Sequence, residues 1–245
     1  MRLNVKNTTL PNLLDLLAPH SCRGCGRTGE ALCERCKNNI LREKLYVCPN
    51  CKKTLPAFDK IDKNKKPKNS LSVYKCPRCK LPPILVAAER SGLLGSLIHD
   101  FKYNSVRALA KPLAEILAKT LPKSLKENII LVPLPTASTH IRTRALDHTY
   151  LIAKHLARLR GFKVEKLLLR RENTVQVGTD EKTRLKQASE AFEINPKIKI
   201  NPKLTYLLID DVWTTGASVK SALDLLQKSG TKNLAAITLV VNRLD

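Results

Sequence analysis

Four C-x-x-C pairs, Cys22/Cys25, Cys33/Cys36, Cys48/Cys51 and Cys76/Cys79, hold all eight cysteines of this chain. The spacing lets a tight turn aim two sulfurs at one point, and two such turns supply the four thiolates of a tetrahedral zinc site. One pair alone is shared with redox motifs; four pairs in one segment point to metal. The simplest pairing puts the first four cysteines on one Zn2+ and the last four on a second, although spacing equally admits an interleaved arrangement. No open set of three ligands beside a carboxylate base accompanies them, and His20 is incidental where eight thiols are present. The zinc is therefore expected to be structural, replacing a core too small to fold alone.

The cysteines also mark a boundary. Residues 1–80 are rich in Cys, Lys and Pro with little periodicity, as in a metal-held module, and Phe58–Ser70 reads as a basic surface loop. From residue 84 to 245 the texture is that of a second domain. Leucines between Leu10 and Leu17 are broken by Asp15 and bracketed by Pro11 and Pro19, a pattern for a short amphipathic helix rather than a signal peptide. No apolar run is long enough to span a bilayer. The expected location is the reducing cytoplasm, where paired cysteines bind metal rather than each other.

The second segment alternates strand and helix signals. ILVAA (84–88), IILV (129–132), VEKLLL (164–169), LTYLLI (204–209) and LAAITLVV (234–241) read as strands, IILV as a buried one. Helical spacing covers 93–119 with an interruption near Asn104, then 146–159 and 218–228, while 170–190 is a long polar stretch. This alternation predicts an α/β fold, a mostly parallel sheet flanked by helices. With 44 Lys and Arg against 21 Asp and Glu, the formal charge is +23. Eight thiolates on two zinc ions would lower it by about four. A field of that sign attracts nucleic acids, nucleotides and pyrophosphates; a lysine-rich solvated surface is the plainer account.

The most informative stretch is LLIDDVWTTGAS (207–218). An apolar strand runs into Asp210 and Asp211, then into a turn of Thr214, Thr215, Gly216, Ala217 and Ser218 that opens a helix. Phosphate needs converging backbone N–H groups at a helix N-terminus, and small residues let it approach. The carboxylates suit ribose hydroxyls or a hydrated Mg2+. No G-x-x-x-x-G-K-[ST] is present, so this is not a Walker P-loop.

The string closely resembles the phosphoribosyl pyrophosphate signature of type I phosphoribosyltransferases, with Trp213 in a slot that is usually aliphatic. LLDLLAPHSCRGCGRTGEALCERC, LIHDFKYNSVRALAKPLAEIL, LVPLPTASTHIRTRALDHTYLIAKHLA and LLLRRENTVQVGTDEKTRLKQASEAF resemble successive parts of ComF-type proteins. The resemblance spans nearly the whole chain. Departures fall at Arg144–His148, where the family often reads R-G-F-N-Q, and at Glu181, where it often has arginine; Gln176 and Arg184 sit at matching polar positions. It implies a double zinc-ribbon module ahead of a type I phosphoribosyltransferase-like domain binding phosphoribosyl pyrophosphate with Mg2+. Asp210 and Asp211 would face the ribose hydroxyls, and Thr214 to Ser218 would cradle the 5′-phosphate. Pro133, Leu134, Pro135 and Thr136 would form the pyrophosphate loop, with Arg144 neutralising departing charge. Lys102, Tyr103, Arg170 and Arg171 are weaker site candidates that surface charge explains about as well, and His148 reads as a polar helix residue rather than a general base.

Two functions follow from the resemblance. One is phosphoribosyl transfer to an unidentified nitrogen acceptor with release of pyrophosphate. The other is non-catalytic: the fold senses the ligand while the zinc module and basic surface contact single-stranded DNA, with DNA-uptake proteins as partners in natural transformation. A glutamine-dependent amidotransferase is disfavoured, because residue 2 is Arg2 rather than a nucleophilic cysteine and the chain has no room for a glutaminase domain.

Overall fold

The computed structural model describes residues 20–41, 45–55, 75–90, 92–104, 106–123, 125, 128–136, 147–171 and 191–242. The expected N-terminal helix, the Phe58–Ser70 loop, Arg144, Gln176, Glu181 and Arg184 lie outside the described residues.

The elements are α1 (Glu34–Ile40), β1 (Leu45–Val47), β2 (Ile84–Glu89), α2 (Gly92–Tyr103), a 3-10 turn (Arg107–Leu109), α3 (Ala110–Thr120), β3 (Ile129–Pro133), α4 (His148–Arg160), β4 (Lys163–Val164), β5 (Leu168–Arg170), β6 (Phe192–Ile194), β7 (Thr205–Trp213), α5 (Ala217–Lys228) and β8 (Asn233–Val241). The main sheet runs β1-β2-β8-β7-β3-β4. Only β1 is antiparallel to its neighbour; β2, β8, β7, β3 and β4 are parallel. The α/β expectation holds. VEKLLL, however, is two strands: Val164 pairs with Leu131 on the main sheet's edge, while Leu168 pairs antiparallel with Ile194 in a separate ribbon.

Both faces of the sheet are covered, which is why its strands read as continuous apolar runs rather than alternating ones. Leu131, Leu207, Ile209, Ala235 and Ile237 pack on one face with α2, α3 and α4. Ile130, Val132, Tyr206, Leu208 and Ala236 pack on the other with α5 and the β5–β6 ribbon. Asp147 caps α4 by accepting from the Tyr150 N–H at 3.1 Å, and Gly161 ends it at φ 71°, where a glycine carries no Cβ penalty.

The cysteine-rich segment is joined to this core. Tyr46 pairs with Leu85 across β1 and β2, and Leu32, Cys22, Cys36 and Ile40 are buried in the cluster that holds α2 and α3. A buried Lys37 on α1 donates to Glu115 of α3 at 2.5 Å and pairs with Glu34 at 2.7 Å. Shared packing of this kind couples the two segments in unfolding. Leu32→Ala, at a fully buried position, is expected to cost about 2–5 kcal/mol and to lower one common transition. Two transitions in calorimetry, with only the first shifted, would show that the segments unfold separately.

Candidate functional site

Chain order singles out one candidate place for a ligand. β3 leads through α4 outward to β4, whereas β7 leads through α5 the other way to β8. The connections therefore diverge between the C-terminal ends of β3 and β7, and in open α/β sheets such a divergence opens a crevice for ligands. The two segments singled out in the sequence meet there. Pro133 ends β3 opposite Ile209, and the Leu134 N–H donates to the Ile209 carbonyl at 2.8 Å. Pro133 and Leu134 are buried, while Pro135 and Thr136 are half-buried. Beyond Ile209, β7 has no partner in β3, although it stays paired to β8 through Trp213. Asp210 and Asp211 thus sit within β7 rather than after it, beside the place where β3 turns away.

The two carboxylates differ. Asp211 is buried and accepts from Lys102 Nζ of α2 at 2.7 Å. Asp210 Oδ1 accepts from the Asp211 N–H at 2.8 Å. Burial and the neighbouring Asp211 carboxylate push Asp210 up to about 7. Of the weaker candidates in the sequence, Lys102 thus stands against Asp211, and Arg170 Nη1 donates to the Pro135 carbonyl at 3.5 Å. Arg171 instead pairs with Glu193 at 3.2 Å, and His148 is buried edge-on to Phe101.

The turn after β7 exposes Thr214 and Thr215, buries Gly216, and half-buries Ala217 and Ser218. Gly216 caps α5 at φ 82°, and a Cβ there would lie 2.2 Å from Trp213 Nε1. Glycine is required twice, by conformation and by contact. The Trp213 indole is buried beneath the turn, and its Nε1 has no hydrogen-bond partner among the described residues.

The cysteines form two groups in sequence order, Cys22/Cys25/Cys33/Cys36 and Cys48/Cys51/Cys76/Cys79, with the four sulfurs of each within 4.8 Å of one another. The interleaved arrangement is thereby excluded. Three pairs share one turn: the N–H groups of Gly26, Lys52 and Lys80 donate to the carbonyls of Cys22, Cys48 and Cys76 at 2.8, 3.0 and 2.8 Å. Each donor lies at positive φ, 75°, 56° and 56° respectively. The fourth pair straddles the start of α1, with Cys33 at its cap. Zinc–sulfur bonds of about 2.3 Å in a tetrahedron set sulfurs about 3.8 Å apart. Cys25 and Cys33, and likewise Cys51 and Cys76, stand at 3.7 Å. Both groups could hold structural zinc.

Their acidities agree. Against burial, the N–H groups of Cys33, Gly24 and Cys25 bring Cys22 down to about 6. The N–H of Cys79 leads in bringing Cys76 down to about 7. Burial and the surrounding cysteines hold Cys36 up at about 12, and burial leads the same rise at Cys48. Four thiolates together thus need a cation to replace the protons. Asn50 ties the second group to α5, donating to Cys79 Sγ at 3.5 Å and accepting from Lys220 at 2.9 Å.

Among the described residues, no helix is long and apolar enough to cross a membrane. No family model matches the chain. It is 26% identical over 216 residues to Competence protein ComFC of Streptococcus pneumoniae (strain ATCC BAA-255 / R6), covering 85% of this chain and 87% of that one. Solved structures give weaker likenesses. Adenine phosphoribosyltransferase from Leishmania tarentolae has TM-score 0.37 and 17% identity, over 64% of this chain and 91% of that one. A hypoxanthine phosphoribosyltransferase from Staphylococcus aureus has TM-score 0.33 and 15% identity, over 58% and 68%. The glutamine phosphoribosylpyrophosphate amidotransferase from B. subtilis has TM-score 0.39 and 15% identity over 54% of this chain, which spans only 26% of that enzyme's length.

The Asp210 acidity gives a test of the crevice. Its ordinary value is 3.8, so the ligand-free fold loses stability from this group as pH rises from 3.8 to about 7, and no more above. Asp210→Asn should therefore melt higher than wild type at pH about 8, by a margin that shrinks toward pH about 5. A margin that grows on acidification would contradict the burial of that carboxylate. Two four-cysteine groups and a mostly parallel sheet thus accompany a sequence similarity to Competence protein ComFC that runs over most of both chains.

Proposed function

We propose that the chain binds phosphoribosyl pyrophosphate with Mg2+ at the β3–β7 crevice, and that it does so in the handling of DNA during natural transformation. The observation that carries this reading is the meeting of the Pro133–Thr136 loop and the Asp210–Ser218 segment at one divergence point of the sheet. The turn from Thr214 to Ser218 offers backbone N–H groups and hydroxyls at the N-terminus of α5, a place suited to a phosphate monoester. Asp210 and Asp211 are hard oxygen donors, which fit ribose hydroxyls and a hydrated Mg2+. Pro133 to Thr136 lie where a pyrophosphate would sit, Arg170 reaches the carbonyl of Pro135, and Arg144 belongs to the segment that follows.

Bound Mg2+ would neutralise the pyrophosphate and make it a better leaving group. The chain's own part is to fix the phosphate end, hold the ribose by its hydroxyls and keep the anomeric carbon open to a nitrogen acceptor. Asp210, Asp211 and Arg144 are the residues assigned to that chemistry. We assign the eight cysteines to two structural Zn2+ ions, and the segments 1–80 and 84–245 to the metal module and the ligand-binding domain.

A second reading, a ligand sensor that contacts single-stranded DNA without catalysis, is favoured by one surface. Lys52, Lys53, Lys75, Arg78, Lys80 and Lys232 are exposed around the second cysteine group and its flank. None pairs with an acid among the described residues. Such a face suits a polyanion backbone, with affinity that falls steeply with salt.

Calorimetry with Mg2+ and phosphoribosyl pyrophosphate tests the main reading on protein that metal analysis shows to carry two zinc ions. Saturable binding by wild type, abolished in Asp210→Asn/Asp211→Asn, is the expected result. No heat from folded, zinc-loaded wild type would remove the ligand and leave the polyanion surface as the leading function.

A further inference from the structure

We infer that Lys102 is a positioning residue of the crevice: it holds Asp211 on the α2 side, so that Asp210 is the carboxylate presented to the ligand. This rests on the phosphoribosyl reading above and separates two acids which that reading treats alike.

Three observations carry it. The Lys102 Nζ to Asp211 Oδ1 contact is 2.7 Å, and the two side chains are only 18% and 9% exposed. A pair so enclosed is unlike a solvated surface ion pair: its partners have left water and have each other as compensation. Secondly, successive residues of a strand point to opposite faces. Leu207 and Ile209 pack on the face that carries α2, and Asp211 continues that alternation toward Lys102. Asp210 Oδ1 instead accepts from the Asp211 N–H at 2.8 Å. Thirdly, Lys102 lies in the last turn of α2, where the free carbonyls of the helix end also favour a cation.

The consequence is a division of labour. For Asp211 to turn to a ligand hydroxyl or a metal, it would have to leave Lys102 unpaired in a mostly buried position. Asp210 forms no ion pair among the described residues. Lys102 also brings a third segment to a crevice whose other walls come from β3 and β7, and α2 thereby takes part in the site without supplying a group to the phosphate turn.

A double-mutant cycle on the zinc-loaded full chain tests this. Binding of Mg2+ and phosphoribosyl pyrophosphate is measured for wild type, Lys102→Met, Asp211→Asn, Lys102→Met/Asp211→Asn and Asp210→Asn. Lys102→Met and Asp211→Asn should each weaken binding about tenfold, the double variant should be no weaker than the weaker single, and Asp210→Asn should abolish binding. Wild-type affinity in Lys102→Met overturns the proposal. So does a double variant whose loss is the product of the two singles, because Lys102 and Asp211 would then act on the ligand independently. Thermal melting of the same variants needs no ligand. Lys102→Met should melt lower, and adding Asp211→Asn should restore part of the loss; additive losses overturn the pairing itself. Failure of wild type to bind would overturn the phosphoribosyl reading and the ligand half of this inference, while melting still decides the pair.

Discussion

The parallel ladder of β7 between β3 and β8 is the constraint on which the molecule hangs. It is nine residues long on the β8 side but stops at Ile209 on the β3 side. That inequality frees the end of β7 on one edge while the other edge stays fixed. Asp210 and Asp211 are therefore held by the β8 ladder yet lie beyond the last residue paired to β3. The same ladder fixes Trp213 under the turn, and Trp213 in turn permits only glycine at position 216. Turn conformation, helix start and carboxylate placement all descend from one pairing pattern.

The cysteine groups serve the same sheet. Three nearly identical turns aim their sulfurs inward, and in two of them a lysine rather than glycine occupies the left-handed position, Lys52 and Lys80. That conformation costs an L-residue about 1 kcal/mol, a strain that metal–thiolate bonding can offset many times over. In exchange, the segment contributes β1 to the sheet, Leu32 to the core and Asn50 to the side of α5. The cysteine-rich segment thus reaches the helix whose N-terminus forms the candidate phosphate site.

Much of this was legible in the chain because it rests on local pattern. The buried strands β2, β3, β7 and β8 announce themselves as apolar runs, and the C-x-x-C spacing announces the metal turns. What escaped depends on tertiary partners. β1 is three residues inside a cysteine-rich stretch, and only pairing with β2 makes it a strand. VEKLLL reads as one strand that the fold splits between two sheets, since Val164 and Leu168 find different partners. Lys102 reads equally as a weaker site candidate or as surface charge, because its partner is 109 residues away.

Trp213 offers the most direct view of the central claim, for it is the sole tryptophan of the chain and lies buried against Gly216. Its emission should be that of an enclosed indole. Titration of the zinc-loaded protein with Mg2+ and phosphoribosyl pyrophosphate should change that emission saturably, because a phosphate seated on the turn alters the field and packing directly above the ring. An indole that stays silent to millimolar ligand, in protein that remains folded, would contradict a phosphoribosyl site at the end of β7.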